Sequence, residues 1–388
     1  MRIAVLAPSV YMSKAAYPDR IFAPRLIILE LVEGLAAKGH EVTLFSSSDI
    51  ETNARLVPGA PELLKGGLLR DKYLSRDSLP EYILQSKIES QHIYSLDLIG
   101  KAFSKASESS FDIIQTDDML VHSFVSLSKT PVTFILHDPL PKENSLDYWL
   151  LNRYKDHNFI SISMAQRNGN PQINFIGNVY HGISINSYKA SFERGEYFAY
   201  MGRLLVQKGV DLAIKAVKEQ GERMLIAADN THFNTDYVKN DIFPFLDEKV
   251  RYEGYFETKE EKNDFLGKAK ALLFPIRWQE PFGLVMIEAM ACGTPVIAFA
   301  NGSVPEIIED GKTGFLINPD DQDIRGSYFV KQTGVAGLSE AIRRINEMTT
   351  EELTTMRKNC RKRVEENFTI EKMVDGYEKA YNDLIAGQ

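Results

Sequence analysis

The stretch Tyr197-Phe198-Ala199-Tyr200-Met201-Gly202-Arg203-Leu204-Leu205-Val206-Gln207-Lys208-Gly209-Val210-Asp211 reads as an apolar strand, a loop bracketed by two glycines and the start of a helix. Placed midway along a 388-residue chain, it opens a second series of β-α units. That series continues through Arg223–Ala228, Val250–Glu253, Ala271–Pro275, Pro295–Ala300 and Gly314–Ile317. An earlier series contains Arg2–Ala7, Glu41–Ser46, Phe111–Thr116, Val132–His137, Phe159–Ser163 and Asn174–Tyr180. Between the first two of these, Pro24–Lys38 carries an apolar stripe of Leu31, Val32, Leu35 and Ala36, closed by Gly39. Short apolar runs alternating with helical patterns give the α/β class: two successive parallel sheets buried on both faces.

Ser184–Glu196 is polar, aperiodic and charged with both signs, so the interdomain linker is expected there. The expected division is 1–187, 188–366 and a closing segment 367–388. In that segment Met373, Tyr377 and Tyr381 form an i, i+4, i+8 stripe. Composition bounds the function. The chain has 45 basic and 53 acidic residues, a net charge of −8, and 44% hydrophobic residues. A mildly acidic globular chain without a Lys/Arg block is not expected to bind nucleic acid. Cys292 and Cys360 are too few for a disulfide framework, no HxxxH or HExxH spacing occurs, and no run of 18 apolar residues is present. A cytoplasmic protein without a metal or other cofactor is the expectation.

Open parallel sheets bind ligands beyond the carboxyl ends of their strands, so chemistry should follow strands. The most informative segment is Glu280-Pro281-Phe282-Gly283-Leu284-Val285-Met286-Ile287-Glu288-Ala289-Met290-Ala291-Cys292-Gly293-Thr294-Pro295, read as loop, helix and strand. Pro281 suits a first turn, which would aim the amides of Phe282, Gly283 and Leu284 at an anion or a sugar hydroxyl. Glu280 and Glu288 would be separated by about 12 Å of rise and about 80° of rotation. Glu288 lies in a helix apolar nearly all round, so the helix is expected to be buried, and a buried carboxylate needs a partner. Arg203 and Lys208 suit a diphosphate, the first bidentately and the second as a point charge. His137 ends a buried strand. Tyr255 and the pair Arg277-Trp278 are candidate neighbours of a base or sugar. Ser303-Val304-Pro305-Glu306 has capping-box spacing, with Ser303 also at a site's edge.

Two lures fail. Gly311-Lys312-Thr313 lacks the P-loop glycine five residues earlier, where Glu306 stands, and no G-x-G-x-x-G follows the first strand. Lys65, Arg70, Lys72 and Arg76 among leucines read first as a solvated helix, with contact to an anionic lipid surface as the alternative.

Glu280–Glu288, with Arg203 and Lys208 before it and Gly302–Glu306 after it, resembles the family 4 retaining glycosyltransferases of the GT-B fold. Weaker pieces of the resemblance are Lys38–Thr43, Val179–Ile183 and Gly311–Phe315. It implies two Rossmann-like domains across a cleft, acceptor on the first, nucleotide-sugar on the second, and a final helix returning to the first. Glu288 would then bind ribose, Arg203 and Lys208 the diphosphate, and Glu280 with the following amides the donor sugar. His137 would contact the sugar from the other domain. Transfer with retention and without metal is implied, from a uridine or guanosine diphosphate sugar to a carbohydrate, lipid-linked or small-molecule hydroxyl. A non-catalytic nucleotide-sugar binder and a sugar-nucleotide epimerase are the competing readings. The chain departs from the family at Ile21-Phe22-Ala23-Pro24-Arg25-Leu26, where a glycine pair is usual and Arg25 is a candidate replacement contact, and at Ala227-Ala228-Asp229-Asn230.

Overall fold

The computed structural model describes residues 1–17, 22–64, 81–108, 110–141, 143–256 and 258–387. Lys65, Arg70, Lys72, Arg76 and Ile21 lie outside the described residues. The chain divides into two compact units. The first comprises Met1–Ile162, Arg167–Val179 and the chain from Met373 onward; the second comprises Ser163–Gln166 and Tyr180–Lys372.

The first unit holds a sheet of seven strands, β1 (Arg2–Leu6), β2 (Glu41–Ser46), β3 (Arg55–Pro58), β4 (Ile113–Thr116), β5 (Val132–Ile135), β6 (Asn158–Ser161) and β7 (Phe175–Asn178). Their order is β3-β2-β1-β4-β5-β6-β7, and every pairing is parallel. The central strands are short runs of Ile, Val, Phe and Leu that are buried on both faces, as a sheet covered by helices requires. β3 was not legible in the sequence. It is a four-residue edge strand, Arg-Leu-Val-Pro, without a buried residue, and its neighbour β2 supplies the pairing that its own pattern does not announce. The helix Ala23–Ala37 returns β1 to β2 and ends at Gly39. The helix Ile370–Ala386 buries its Met373, Tyr377 and Tyr381 stripe, and Gly376 lies close against Val179. At its rim Lys38 pairs with Asp375 at 2.6 Å and with Glu378, which also meets His40 at 2.9 Å.

The second unit holds a six-stranded sheet, β8 (Tyr197–Met201), β9 (Met224–Ala227), β10 (Val250–Gly254), β11 (Ala269–Phe274), β12 (Val296–Phe299) and β13 (Gly314–Ile317), again all parallel, in the order β10-β9-β8-β11-β12-β13. Strand order reverses between β8 and β11, which makes the loops after those two strands the walls of a crevice. In the first sheet the reversal falls between β1 and β4.

Ser184–Glu196 is not a free linker. The chain changes unit at Val179/Tyr180, and the polar stretch is bound into the second unit by backbone groups that sequence periodicity does not register. The Tyr188 carbonyl accepts from Arg361 at 2.8 Å, the Ser191 amide donates to Cys292 at 3.0 Å, and the Glu196 amide donates to Lys268 at 2.8 Å. A buried Arg357 closes this region, its guanidinium donating to the carbonyls of Ser191, Ala269 and Gly267.

Candidate functional site

The loop after β8 and the loop after β11 are fastened to each other residue by residue. Gly209 has φ 70°, and a Cβ there would stand 2.0 Å from the Pro275 carbonyl oxygen, so only glycine lets the Val206–Lys208 turn approach the end of β11 this closely. The Arg277 amide donates to the Gln207 carbonyl at 2.8 Å. The Arg277 guanidinium donates to Val206 at 2.7 Å and grips Asp211 bidentately at 2.8 and 2.6 Å. Burial pushes the Asp211 carboxyl up, but Arg277 and the Tyr237 hydroxyl outweigh it and hold the group below the usual carboxylate range. Arg277 was expected beside a base or sugar. Its guanidinium is instead the clamp between the two loops.

That clamp delivers Lys208 to Glu280. Lys208 Nζ donates to Glu280 Oε2 at 2.8 Å, and Trp278 Nε1 donates to the same oxygen at 2.8 Å. The ammonium also lies 4.4 Å from the centre of the Trp278 ring. Both charged side chains are largely withdrawn from water, at 15% and 8% exposure. Trp278 therefore acts on the carboxylate, a part its sequence neighbourhood did not disclose.

The loop after β12 holds Glu280 from behind. Ser303 donates its amide to the Glu280 carbonyl at 2.9 Å and its hydroxyl to the Phe282 carbonyl at 2.8 Å. A Cβ on Gly302, at φ 62°, would meet the Glu280 backbone oxygen and nitrogen at 2.3 and 2.4 Å. Ser303 is fully buried, its amide and hydroxyl both spent on bracing the Glu280 loop. The capping box does not form either, because the Ser303 hydroxyl is spent on Phe282. Glu306 instead accepts from the amides of Met164 and Ala165, at 2.8 and 2.6 Å, and from the Tyr180 hydroxyl at 2.8 Å.

The helix expected near Pro281 begins at Leu284 and runs to Ala291, with Gly283 as its N-cap. Phe282 is buried against His181, Phe368 and Tyr180, with ring centres 5.1 to 6.1 Å away. The first-turn amides left without a helical acceptor are those of Leu284 and Val285, one residue beyond the expected set. Glu288 is half-buried and has its partner: the Tyr188 hydroxyl donates to Oε1 at 3.0 Å. Tyr188 gave no sequence signal, being one aromatic in an aperiodic stretch. Arg203 is half-buried beside the same crevice. Its carbonyl accepts from Tyr200 at 3.0 Å, and its guanidinium has no ion-pair partner among the described residues. Tyr255 stands apart, 48% exposed after the edge strand β10.

In the first unit, His137 follows β5 and Asp117 follows the adjacent β4, with Nε2 and Oδ2 4.0 Å apart. Arg25 is half-buried in the first turn of the Ala23–Ala37 helix and has no ion-pair partner among the described residues. No group of three or more His, Cys, Asp or Glu side chains among the described residues is gathered as a metal site. No helix among them is long and apolar enough to cross a membrane.

Residues 184–325 match the family model described as glycosyl transferases group 1. N-acetyl-alpha-D-glucosaminyl L-malate synthase of Bacillus anthracis is 33% identical over 183 residues, 46% of this chain and 42% of that protein. An uncharacterized glycosyltransferase of Methanocaldococcus jannaschii is 29% identical over 214 residues, 53% of each. These matches thus span about half, or less, of the curated relatives' length. Among solved structures, sucrose-phosphate synthase from Thermosynechococcus elongatus superposes with a TM-score of 0.72 at 19% identity, covering 100% of both chains. Anabaena HepE in complex with UDP and glucose does so with 0.67 at 18% identity, covering 98% of this chain and 99% of that one. With two doubly wound parallel sheets the chain has the GT-B fold, and its likeness to the group 1 glycosyl transferases lies in residues 184–325, seated in the second unit.

Proposed function

We propose that this chain is a retaining glycosyltransferase that moves a sugar from a nucleoside diphosphate sugar, held by the second unit, to an acceptor hydroxyl. The observation that carries the reading is the Lys208–Glu280 pair at the crevice between β8 and β11, with Arg203, which has no ion-pair partner among the described residues, beside it and Glu288 at the far end of the following helix. Arg203 and Lys208 supply positive charge to a diphosphate and stabilise the charge that grows on its β-phosphate as the glycosidic bond breaks. Glu280 accepts from a donor-sugar hydroxyl, and the Leu284 and Val285 amides add donors at a helix N-terminus. Glu288 accepts from ribose hydroxyls and is held in orientation by Tyr188. In the first unit, His137 meets a substrate hydroxyl, and Arg25 suits an acceptor that carries negative charge.

Attack from the leaving group's own face, with the departing phosphate taking the acceptor's proton, needs neither a protein nucleophile nor a metal. The Anabaena protein's complex with UDP and glucose supports a uridine diphosphate donor. The test is thermal unfolding against UDP-, GDP- and ADP-sugars, where a ligand at 100 times its dissociation constant stabilises by about 2.7 kcal/mol. A shift with one base, lost in Glu288→Ala, supports the reading. No shift with any of them overturns it.

A further inference from the structure

The two oxygens of the Glu280 carboxylate are held unequally. Along the stem, a Cβ on Gly283 would stand 3.4 Å from Glu280 Cγ and 3.5 Å from the Phe274 ring, so the side chain runs through a close-packed channel. At its tip, Lys208 Nζ and Trp278 Nε1 both donate to Oε2, each at 2.8 Å. Oε1 has no hydrogen-bond partner among the described residues. The ammonium on Oε2 also lies 4.4 Å from the centre of the Trp278 ring and 5.8 Å from that of Phe274. The last torsion of a glutamate is soft and nearly two-fold, so a carboxylate with one partner can exchange its oxygens. Two donors on a single oxygen remove that freedom.

The two donors differ in kind. The ammonium turns its protons on a flexible stem and follows the carboxylate, whereas the indole N–H is fixed in its ring plane and sets a direction. The ammonium is also the group that a diphosphate draws on, so Trp278 is the donor that stays on Oε2 once the Lys208 charge is shared with a phosphate. We propose that Trp278 is the positioning residue of Glu280: it holds Oε2 so that Oε1 is the oxygen offered to a donor-sugar hydroxyl, whichever partner Lys208 has. Trp278, expected beside a base or sugar, thus acts on the sugar through Glu280. The consequence for turnover rests on the proposed contact between Glu280 and the donor sugar; the hold on Oε2 does not.

The experiment reads the indole proton and turnover separately. The chain has two tryptophans, Trp149 and Trp278, and Trp149 is 56% exposed. In full-length protein with 15N-labelled tryptophan, the indole signal that survives in Trp149→Phe is that of Trp278. It should lie downfield of the Trp149 signal, move upfield in Glu280→Gln, and stay downfield when the donor selected from UDP-, GDP- and ADP-sugars is added, because the sugar takes Oε1. Trp278→Phe keeps an aromatic face for the ammonium and loses the N–H. It should lower kcat about tenfold, the worth of one hydrogen bond, and weaken binding of the sugar nucleotide while affinity for the free nucleoside diphosphate is unchanged. A signal unmoved in Glu280→Gln, or one driven upfield by the donor, overturns the proposal without any variant of Trp278. Parental kcat in Trp278→Phe overturns it too, as does equal weakening of the sugar nucleotide and the free diphosphate, the mark of a merely structural ring. Failure of the unsubstituted protein to bind any donor overturns the transferase reading and the sugar contact of Oε1 with it, and the Glu280→Gln spectrum alone then decides whether Trp278 holds the carboxylate.

Discussion

Lys208 and Glu280 form a pair that neither residue could sustain alone: 2.8 Å apart and largely withdrawn from water, each is the reason the other can be charged where it stands. Removing one member of such a pair leaves an uncompensated charge, a loss of about 3–5 kcal/mol in a fully buried setting. Lys208→Ala should therefore lower the stability of the second unit by about 3 kcal/mol and abolish sugar transfer, read by thermal unfolding and by product formation. Glu280→Gln keeps an acceptor for Trp278 but leaves the Lys208 charge uncompensated, so it should also destabilise the second unit while losing turnover. Full turnover in either variant would remove that residue from the site.

The Tyr188 hydroxyl donates to the Glu288 carboxylate at 3.0 Å. Tyr188→Phe should cost about 1 kcal/mol of stability, the usual net worth of one hydrogen bond, and weaken nucleotide-sugar binding several-fold with little effect on kcat. Titration calorimetry with the donor that the unfolding panel selects is the check. Equal affinity in the two proteins would mean that Glu288 is oriented by its helix alone.

Arg277 and Asp211 should behave as one structural unit. Residues joined in a network commonly couple by about 0.5–3 kcal/mol, and a double-mutant cycle of Arg277→Met and Asp211→Asn should return a value inside that range. Base preference should not move in either single variant. A changed preference for UDP- over GDP-sugar in Arg277→Met would return this residue to the donor contacts.

His122 gives the first unit an acid limit. Its ring stacks on Phe134 at 3.7 Å, its Nδ1 is 2.8 Å from that of His157, and burial, then His157, push it down to about 3 from the ordinary 6.5. Below pH 6.5 the unfolded chain takes up a proton that the folded ring refuses. Stability is thus complete above that pH and falls, by up to about 1.4 kcal/mol per pH unit, until the folded ring protonates near pH 3. His122→Phe keeps an aromatic ring in the stack and should flatten the fall in unfolding temperature between pH 6.5 and 4. An unchanged slope would assign it to the carboxylates.

The strands and the charged residues of the second unit were legible because they depend on short-range rules. A buried parallel strand is an apolar run, and a cation on a glycine-bracketed loop after one has few other reasons to be there. What stayed hidden was pairing across sequence distance. Nothing local marks Tyr188 as the partner of Glu288 or Arg277 as the clamp on Asp211, since each contact exists only once two distant segments are docked. The Ser303–Glu306 spacing misled for the same reason. Its local rule was sound, but Phe282 and the amides of Met164 and Ala165 offered both side chains other partners. β3 escaped because an edge strand borrows its definition from its neighbour.

The route of the chain sets an order of events during synthesis. The first unit takes in residues before Val179 and, nearly two hundred positions later, the helix that buries Tyr377 and Tyr381. Until that helix leaves the ribosome, Gly177 and Val179 lack their partners Ala380 and Gly376, while the second unit, almost contiguous, has all its strands available. The unit whose strands come earlier in the chain is thus the one completed last. A chain stalled before that helix would leave Val179 and its neighbours uncovered, while the second unit's own sheet is already complete.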